Sequence, residues 1–176
     1  MLRRVWLVLP FVWLYPASAR AVDPDRRISQ YAHAVWRTQD GLFQGTPTAI
    51  VQTQDGYLWL GTTSDLVRFD GVRFAPFSSE HGEQLPDVQI NALLAARDGT
   101  LWIGTQGGLS HWKNHTLTNY PAGPSPTVTT ILEDRQGTIW FGQGPRPEAG
   151  TLCQVVGSST RCLGIADGVP PFLWKR

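Results

Sequence analysis

Long apolar runs are almost missing from this 176-residue chain: the one present, Val5 to Tyr15, is 11 residues long. A helix needs about 20 residues to cross a bilayer, so neither this run nor any other segment is a candidate for a span. With Arg3 and Arg4 before it and small residues at Ala17, Ala19 and Ala21 after it, residues 1–21 read as an export signal. Cleavage is expected after Ala19 or Ala21, which sends the rest to the bacterial periplasm; an uncleaved tether is the alternative. Charge is scarce too, at 16%. Cleavage after Ala21 removes Arg3, Arg4 and Arg20, leaving 12 Lys and Arg against 14 Asp and Glu. A mildly acidic domain with scattered charges lacks the basic footprint that nucleic acid or anionic lipid requires.

Catalytic motifs are also absent. There is no Gly-x-Ser-x-Gly elbow, no His-Glu-x-x-His and no phosphate loop, so no catalytic constellation, metal or cofactor is assigned. The Asp-Gly pairs lack the ligand-dense spacing of a calcium loop and read as turns. His111 and His115 are four apart, but in a hairpin turning at Lys113-Asn114 they flank the turn instead of sharing a helical face.

What the chain does have is one phrase written three times: Asp55-Gly56-Tyr57-Leu58-Trp59-Leu60-Gly61-Thr62, Asp98-Gly99-Thr100-Leu101-Trp102-Ile103-Gly104-Thr105 and Gln136-Gly137-Thr138-Ile139-Trp140-Phe141-Gly142-Gln143. Tryptophan recurs after 43 and then 38 residues, the length of one four-stranded propeller blade. A shift of 43 lays Ala49 on Ala92, Leu66 on Leu109, Phe69 on Trp112 and Phe77 on Tyr120 without an insertion. The third copy regains that shift at Leu152, so five extra residues have entered in the stretch 144–150. The fold class is therefore all-β, with blades at 45–87, 88–125 and 126–170, a lead-in at 22–44 and a short tail at 171–176.

Within each blade a first strand turns at Asp-Gly into the Trp strand, where alternation puts Trp59 and Gly61 on one face and Leu58 and Leu60 on the other. Trp102 with Gly104 and Trp140 with Gly142 repeat the arrangement, and all six read as blade core. Leu66 to Phe69 forms a third strand, and Asp70-Gly71 leads into a fourth, Val72-Arg73-Phe74. In the last blade, a hairpin loop at Gly157-Ser158 would set Cys153 opposite Cys162 on a non-hydrogen-bonded rung with Cα atoms about 4.5 Å apart. An exported protein can keep that disulfide; two unpaired buried thiols are the alternative.

These phrases, with Trp36-Arg37-Thr38-Gln39-Asp40-Gly41-Leu42 and Gly71-Val72-Arg73-Phe74, resemble the two-component regulator propeller repeat over residues 31–170. That resemblance implies the exported sensor region of a bacterial hybrid histidine kinase or a related signalling protein, with the membrane span and output module outside this chain. Departures from the family pattern stand at Phe43, where Pro is usual, at Asp65, where Gly is usual, and at Gln136, which replaces the turn Asp.

In propellers, loops entering the first strand and joining the second to the third open on one face, where ligands bind. Here those loops contain Gln44, Thr46, Thr62, Thr63, Asp87, Gln89, Thr105, Gln106, Gln143 and Arg146, a neutral polar set suited to a hydroxyl-rich small molecule, glycan or peptide. The stretch 144–150 is expected to project from that rim with Arg146 presented. The expected function is a non-catalytic sensing module and fragment of a larger receptor. Alternatives are a secreted lyase or glycan-cleaving enzyme using His33, His81 or Glu83, and an inactive truncated-gene product. Three blades fall short of the roughly four to eight of a closed ring, so further blades or a second copy are expected partners.

Overall fold

The structure, a computed structural model, describes residues 36, 43–79, 81–120, 126–144, 151–163 and 167–168. All belong to one compact unit beginning at Trp36. The export signal, the lead-in strand with His33, Arg146 and residues 169–176 lie outside the described residues.

The described chain is all-β and forms three four-stranded antiparallel blades, each with its strands in sequence order. Blade one holds β1 (Pro47–Gln52), β2 (Leu58–Thr62), β3 (Leu66–Phe69) and β4 (Phe74–Pro76). Blade two holds β5 (Ile90–Ala95), β6 (Leu101–Thr105), β7 (Leu109–Lys113) and β8 (Thr116–Asn119). Blade three holds β9 (Val128–Glu133), β10 (Ile139–Gln143), β11 (Thr151–Val156) and β12 (Ser159–Leu163).

Turn chemistry sets the strand ends. Gly56, Gly99 and Gly137 adopt φ of 90°, 82° and 87°, the left-handed region that the tight turn into each Trp strand requires. Asp55 and Asp98 accept the backbone N–H groups of Tyr57 and Thr100. In blade three Gln136 has no carboxylate to offer, and Asp134, two residues earlier, accepts the N–H groups of Gln136 and Thr138 and the Trp140 indole N–H. The turn that lacks its own Asp is thus rebuilt from a different position. Two other readings need correction. The fourth strand starts at Phe74 and not at Val72, because Asp70 accepts the N–H groups of both Val72 and Arg73 and holds them in the turn. The β7–β8 turn falls at Asn114-His115, whose φ values are 49° and 62°. A two-residue loop of this type needs positive φ at both positions, which Asn and His tolerate better than most residues.

Each first strand carries a one-residue bulge: Thr48, Asn91 and Thr129 are the unpaired extras in the ladders to β2, β6 and β10. The bulged side chain reaches toward the next blade. Thr48 Oγ1 donates to the Ile90 carbonyl at 2.7 Å and Asn91 Nδ2 to the Val128 carbonyl at 3.1 Å. At the opposite end of the strands the Asp-Gly turns are stitched in the same sense: Gln54 Nε2 donates to the Arg97 carbonyl at 2.7 Å, and Arg97 Nη1 to the Arg135 carbonyl at 3.4 Å.

Between these stitches lies the core. Trp59, Leu66, Ile90, Leu101, Ile103 and Leu117 fill the seam between blades one and two. Trp102, Leu109, Tyr120, Val128, Ile139, Phe141 and Cys153 fill the second seam. The glycine two residues after each Trp makes room for the neighbouring strand: a Cβ on Gly61 would lie 2.5 Å from Ile90 Cγ2, and one on Gly104 2.6 Å from Val128 Cγ1.

The two end faces differ. On blade one, Trp36 packs edge-on against Phe69 and Phe74, with centroids 5.0 and 5.7 Å away, and Phe43 meets Phe74 at 5.7 Å. The outer half of that face is covered, whereas Ile50 on the innermost strand is 64% exposed. On blade three Leu132, opposite Trp140, is 61% exposed. Their counterparts in blade two, Leu93 and Leu94, pack against the two seams.

Gly104→Ala is expected to destabilise the protein by about 1–3 kcal/mol, the cost of overpacking a site that cannot yield. Combined with Val128→Ala it should cost less than the two single changes together, measured by urea unfolding; strict additivity would show that the two positions do not meet.

Candidate ligand-binding rim

At the rim, the backbone continues each β1–β2 type ladder one pair past the bulge: Thr63 N–H donates to the Thr46 carbonyl, Gln106 N–H to that of Gln89 and Gly144 N–H to that of Thr127. This pairing brings the sequence-predicted residues together and sorts them. Gln44, Thr46, Thr63 and Gln106 are exposed. Thr62 and Thr105 are fully buried and serve the β2–β3 and β6–β7 turns: Thr62 Oγ1 accepts the N–H groups of Ser64 and Asp65, and Thr105 Oγ1 accepts that of Gly107. Gln143 is 7% exposed and lies against the cysteines. These three were expected to face a ligand and instead complete the interior: Thr62 and Thr105 satisfy the loop's N–H groups, and Gln143 packs on the cysteine sulfurs. Asp87 accepts the N–H of Gln89, whose side chain donates to Asn91 Oδ1. Of the stretch 144–150, only Gly144, on the rim, is described.

Asp65, where the family usually has Gly, bonds the Thr62 hydroxyl and accepts the N–H of Gln44 at 3.3 Å, tying the lead-in to blade one. It also lines a cleft of about 280 Å³ with Ser64, Phe77, Ser79, Glu83 and Leu85, between the β2–β3 turn and the connection from β4 to β5. The Ser79 hydroxyl holds the Glu83 carboxyl below its usual range. His81 Nδ1 lies 3.9 Å from Glu83 Oε1.

Sequence reasoning missed the aromatic triad at the second seam. Trp102, His111 and Tyr120 pack together, with the Trp102 and His111 ring centroids 5.0 Å apart and Tyr120 Oη 3.1 Å from His111 Nδ1. Burial first, and then the charge of Lys113, pushes His111 below its ordinary 6.5. Lys113 itself bonds Asp98 at 2.5 Å. Burial raises the Asp98 carboxyl, but the bonds from Lys113 and Thr100 outweigh it and hold the group at about 2.

Cys153 and Cys162 stand directly opposite on β11 and β12 and are joined by a disulfide with Cα atoms 3.9 Å apart. The close approach belongs to the non-hydrogen-bonded type of rung. Cys153 is fully buried, and the amide end of Gln143 is 3.4 Å from its sulfur.

The family model described as two component regulator propeller matches residues 41–64, 84–107 and 122–143. Among solved structures, the chain is similar to the extracellular domain assigned to a hybrid two component system from B. thetaiotaomicron, at 17% identity and a TM-score of 0.63 over 79% of this chain and 19% of that one. It is also similar to the extracellular domain assigned to a one component system from the same organism, at 20% identity and a TM-score of 0.56 over 68% of this chain and 17% of that one. Virginiamycin B lyase from Staphylococcus aureus aligns at 16% identity and a TM-score of 0.53 over 66% of this chain and 40% of that one. Identities this low carry the fold alone, and the chain spans about a fifth of the length of those extracellular domains. No curated protein matches the chain.

Two outcomes are expected. A folded-state value below 6.5 means that the stabilisation from neutral His111 is complete above that pH and is lost as pH falls through the folded value. His111→Gln should therefore flatten the fall in Tm between about pH 7 and 5, while the loss carried by Asp98 comes further down, below 3.8 toward about 2. For the disulfide, protein recovered from the periplasm should take up thiol-alkylating reagent only after reduction. Removing the bridge should cost up to about 3 kcal/mol, from the chain-entropy model for a loop of about ten residues; alkylation without reduction would reject the pairing.

Proposed function

Because this chain belongs to the two-component regulator propeller family, we propose that it is an exported, non-catalytic ligand-sensing module of a two-component signalling system, holding three blades of a larger propeller. The carrying observation is the end faces. Ile50 and Leu132 occupy the register positions that seat the neighbouring blade elsewhere, and both are mostly exposed. A blade face built to be covered implies more blades, from further chain or from a second copy. Trp36, against the outer strands of blade one, stands where the residue leaving a preceding blade would stand, just as Phe77 meets Trp112 at 5.2 Å.

The exposed rim residues, Gln44, Thr46, Thr63 and Gln106, are uncharged donors and acceptors. They suit a hydroxyl-rich or peptide-like ligand better than a phosphate. Against catalysis, the neighbouring acid–base candidates His81 and Glu83 sit on the connection between the outer strand β4 and the inner strand β5. The likeness to a lyase is one of fold.

Sedimentation of the chain without its first 21 residues should show association beyond the monomer and binding of an apolar dye. Charged substitution of Leu132, as in Leu132→Glu, should shift it toward monomer. A soluble monomer that binds no dye would show that the end faces are not interfaces.

A further inference from the structure

The two seams use the same three register positions with different side chains. In the second seam Trp102, His111 and Tyr120 close on one another through the His111–Tyr120 hydrogen bond. In the first, a shift of 43 residues puts Trp59, Arg68 and Phe77 in those places. Phe77 has no hydroxyl with which to hold a partner, and Arg68 lies instead over the Tyr57 ring, 4.4 Å from its centroid. Across the seam Trp112 stands where the second seam has the smaller Val155. The result is an open cleft of about 310 Å³, walled by Trp59, Phe77 and Trp112 and lined by Arg68, His115 and Ser78.

The lining chemistry is one-sided. It includes the Trp59, Phe77 and Trp112 rings and the cationic residue Arg68, and no carboxylate among the described residues lines it. On blade two, Asp98 is bonded to Lys113. Arg68 has no carboxylate partner among the described residues; its exposed guanidinium rests on the Tyr57 ring and is otherwise open to solvent. A planar guanidinium beside aromatic walls fits a carboxylate held in bidentate fashion while a ring stacks on the indoles. The volume, at the low end for ligand pockets, suits a single ring.

We propose that this cleft is a binding site for a ring-bearing carboxylate, separate from the rim, with Arg68 holding the carboxylate and Trp59, Phe77 and Trp112 holding the ring. Two sources share that chemistry, an aromatic carboxylate and an acidic sugar.

The test uses the full chain, titrated with benzoate and with glucuronate, and with the neutral benzyl alcohol and glucose as controls. Binding is read by tryptophan fluorescence and saturation-transfer NMR. At least one carboxylate should give a saturable response at least about tenfold tighter than its neutral control, as expected when a charged hydrogen bond is lost. Preference for benzoate assigns the aromatic source, and preference for glucuronate assigns the sugar. Arg68→Gln, at an exposed position, should weaken the response about tenfold or more. The pair Arg68→His with Phe77→Tyr writes the closed triad into the open seam and should abolish binding with the circular dichroism spectrum unchanged. If neither carboxylate gives a saturable response, if the neutral controls bind as well, or if Arg68→Gln binds like the parent chain, the proposal is overturned.

Discussion

The fold depends on how closely the first strand of one blade can approach the second strand of the blade before it. Gly61 and Gly104 leave no Cβ where Ile90 and Val128 need to sit, and those two residues are fully buried as a result. A larger side chain would overlap Ile90 or Val128 and force one of the two strands to shift. The repeated Gly after Trp is therefore a distance constraint between blades more than a property of its own strand.

Apolar burial and hydrogen bonding divide the work at each seam. Burying a Leu, Ile or Phe side chain contributes about 1.5–3 kcal/mol, and the first seam alone encloses five buried Leu and Ile residues besides Trp59. A stitch such as Thr48 to the Ile90 carbonyl contributes about 0.5–1.5 kcal/mol net. Burial thus dominates the attraction, but it is non-directional and does not choose a register. The bulged residues and the turn residues do. They grip the next blade at both ends of its first strand and fix which carbonyl faces which side chain. The stitches from Thr48, Asn91 and Gln54 end on backbone carbonyls, so the neighbouring blade can vary its sequence there, whereas Arg97 also pairs with the Glu133 carboxylate of blade three.

Most of the fold was legible in the sequence because a repeat matched in register fixes strands, faces and partners together. Cys153 and Cys162 illustrate it: hairpin counting from Gly157-Ser158 gives the same pairing as the observed ladder. The misreadings came where a local polar group outranks the pattern. Asp70 keeps Val72 and Arg73 out of the fourth strand by accepting both N–H groups. Asp134 restores a turn whose own position holds Gln136. Alternation alone cannot tell Thr62 from Thr63, since both are polar loop-edge residues. Burial separates them: Thr62 is fully buried, whereas Thr63 is exposed on the rim.

The candidate sites were less legible for a related reason. In a repeat, shared residues report the scaffold, and function resides in the positions where one copy departs from the others. Superposing the copies at a shift of 43 aligns Phe77 with Tyr120, and that pair alone looks like one aromatic replacing another. Its meaning depends on the partner that changes with it, Arg68 for His111. A Tyr and a neutral His satisfy each other and close a seam. A Phe and a guanidinium do not, and Arg68 rests on the Tyr57 ring beside a seam left open. The difference lies in the pairing and becomes visible only when the three register positions are brought together in space.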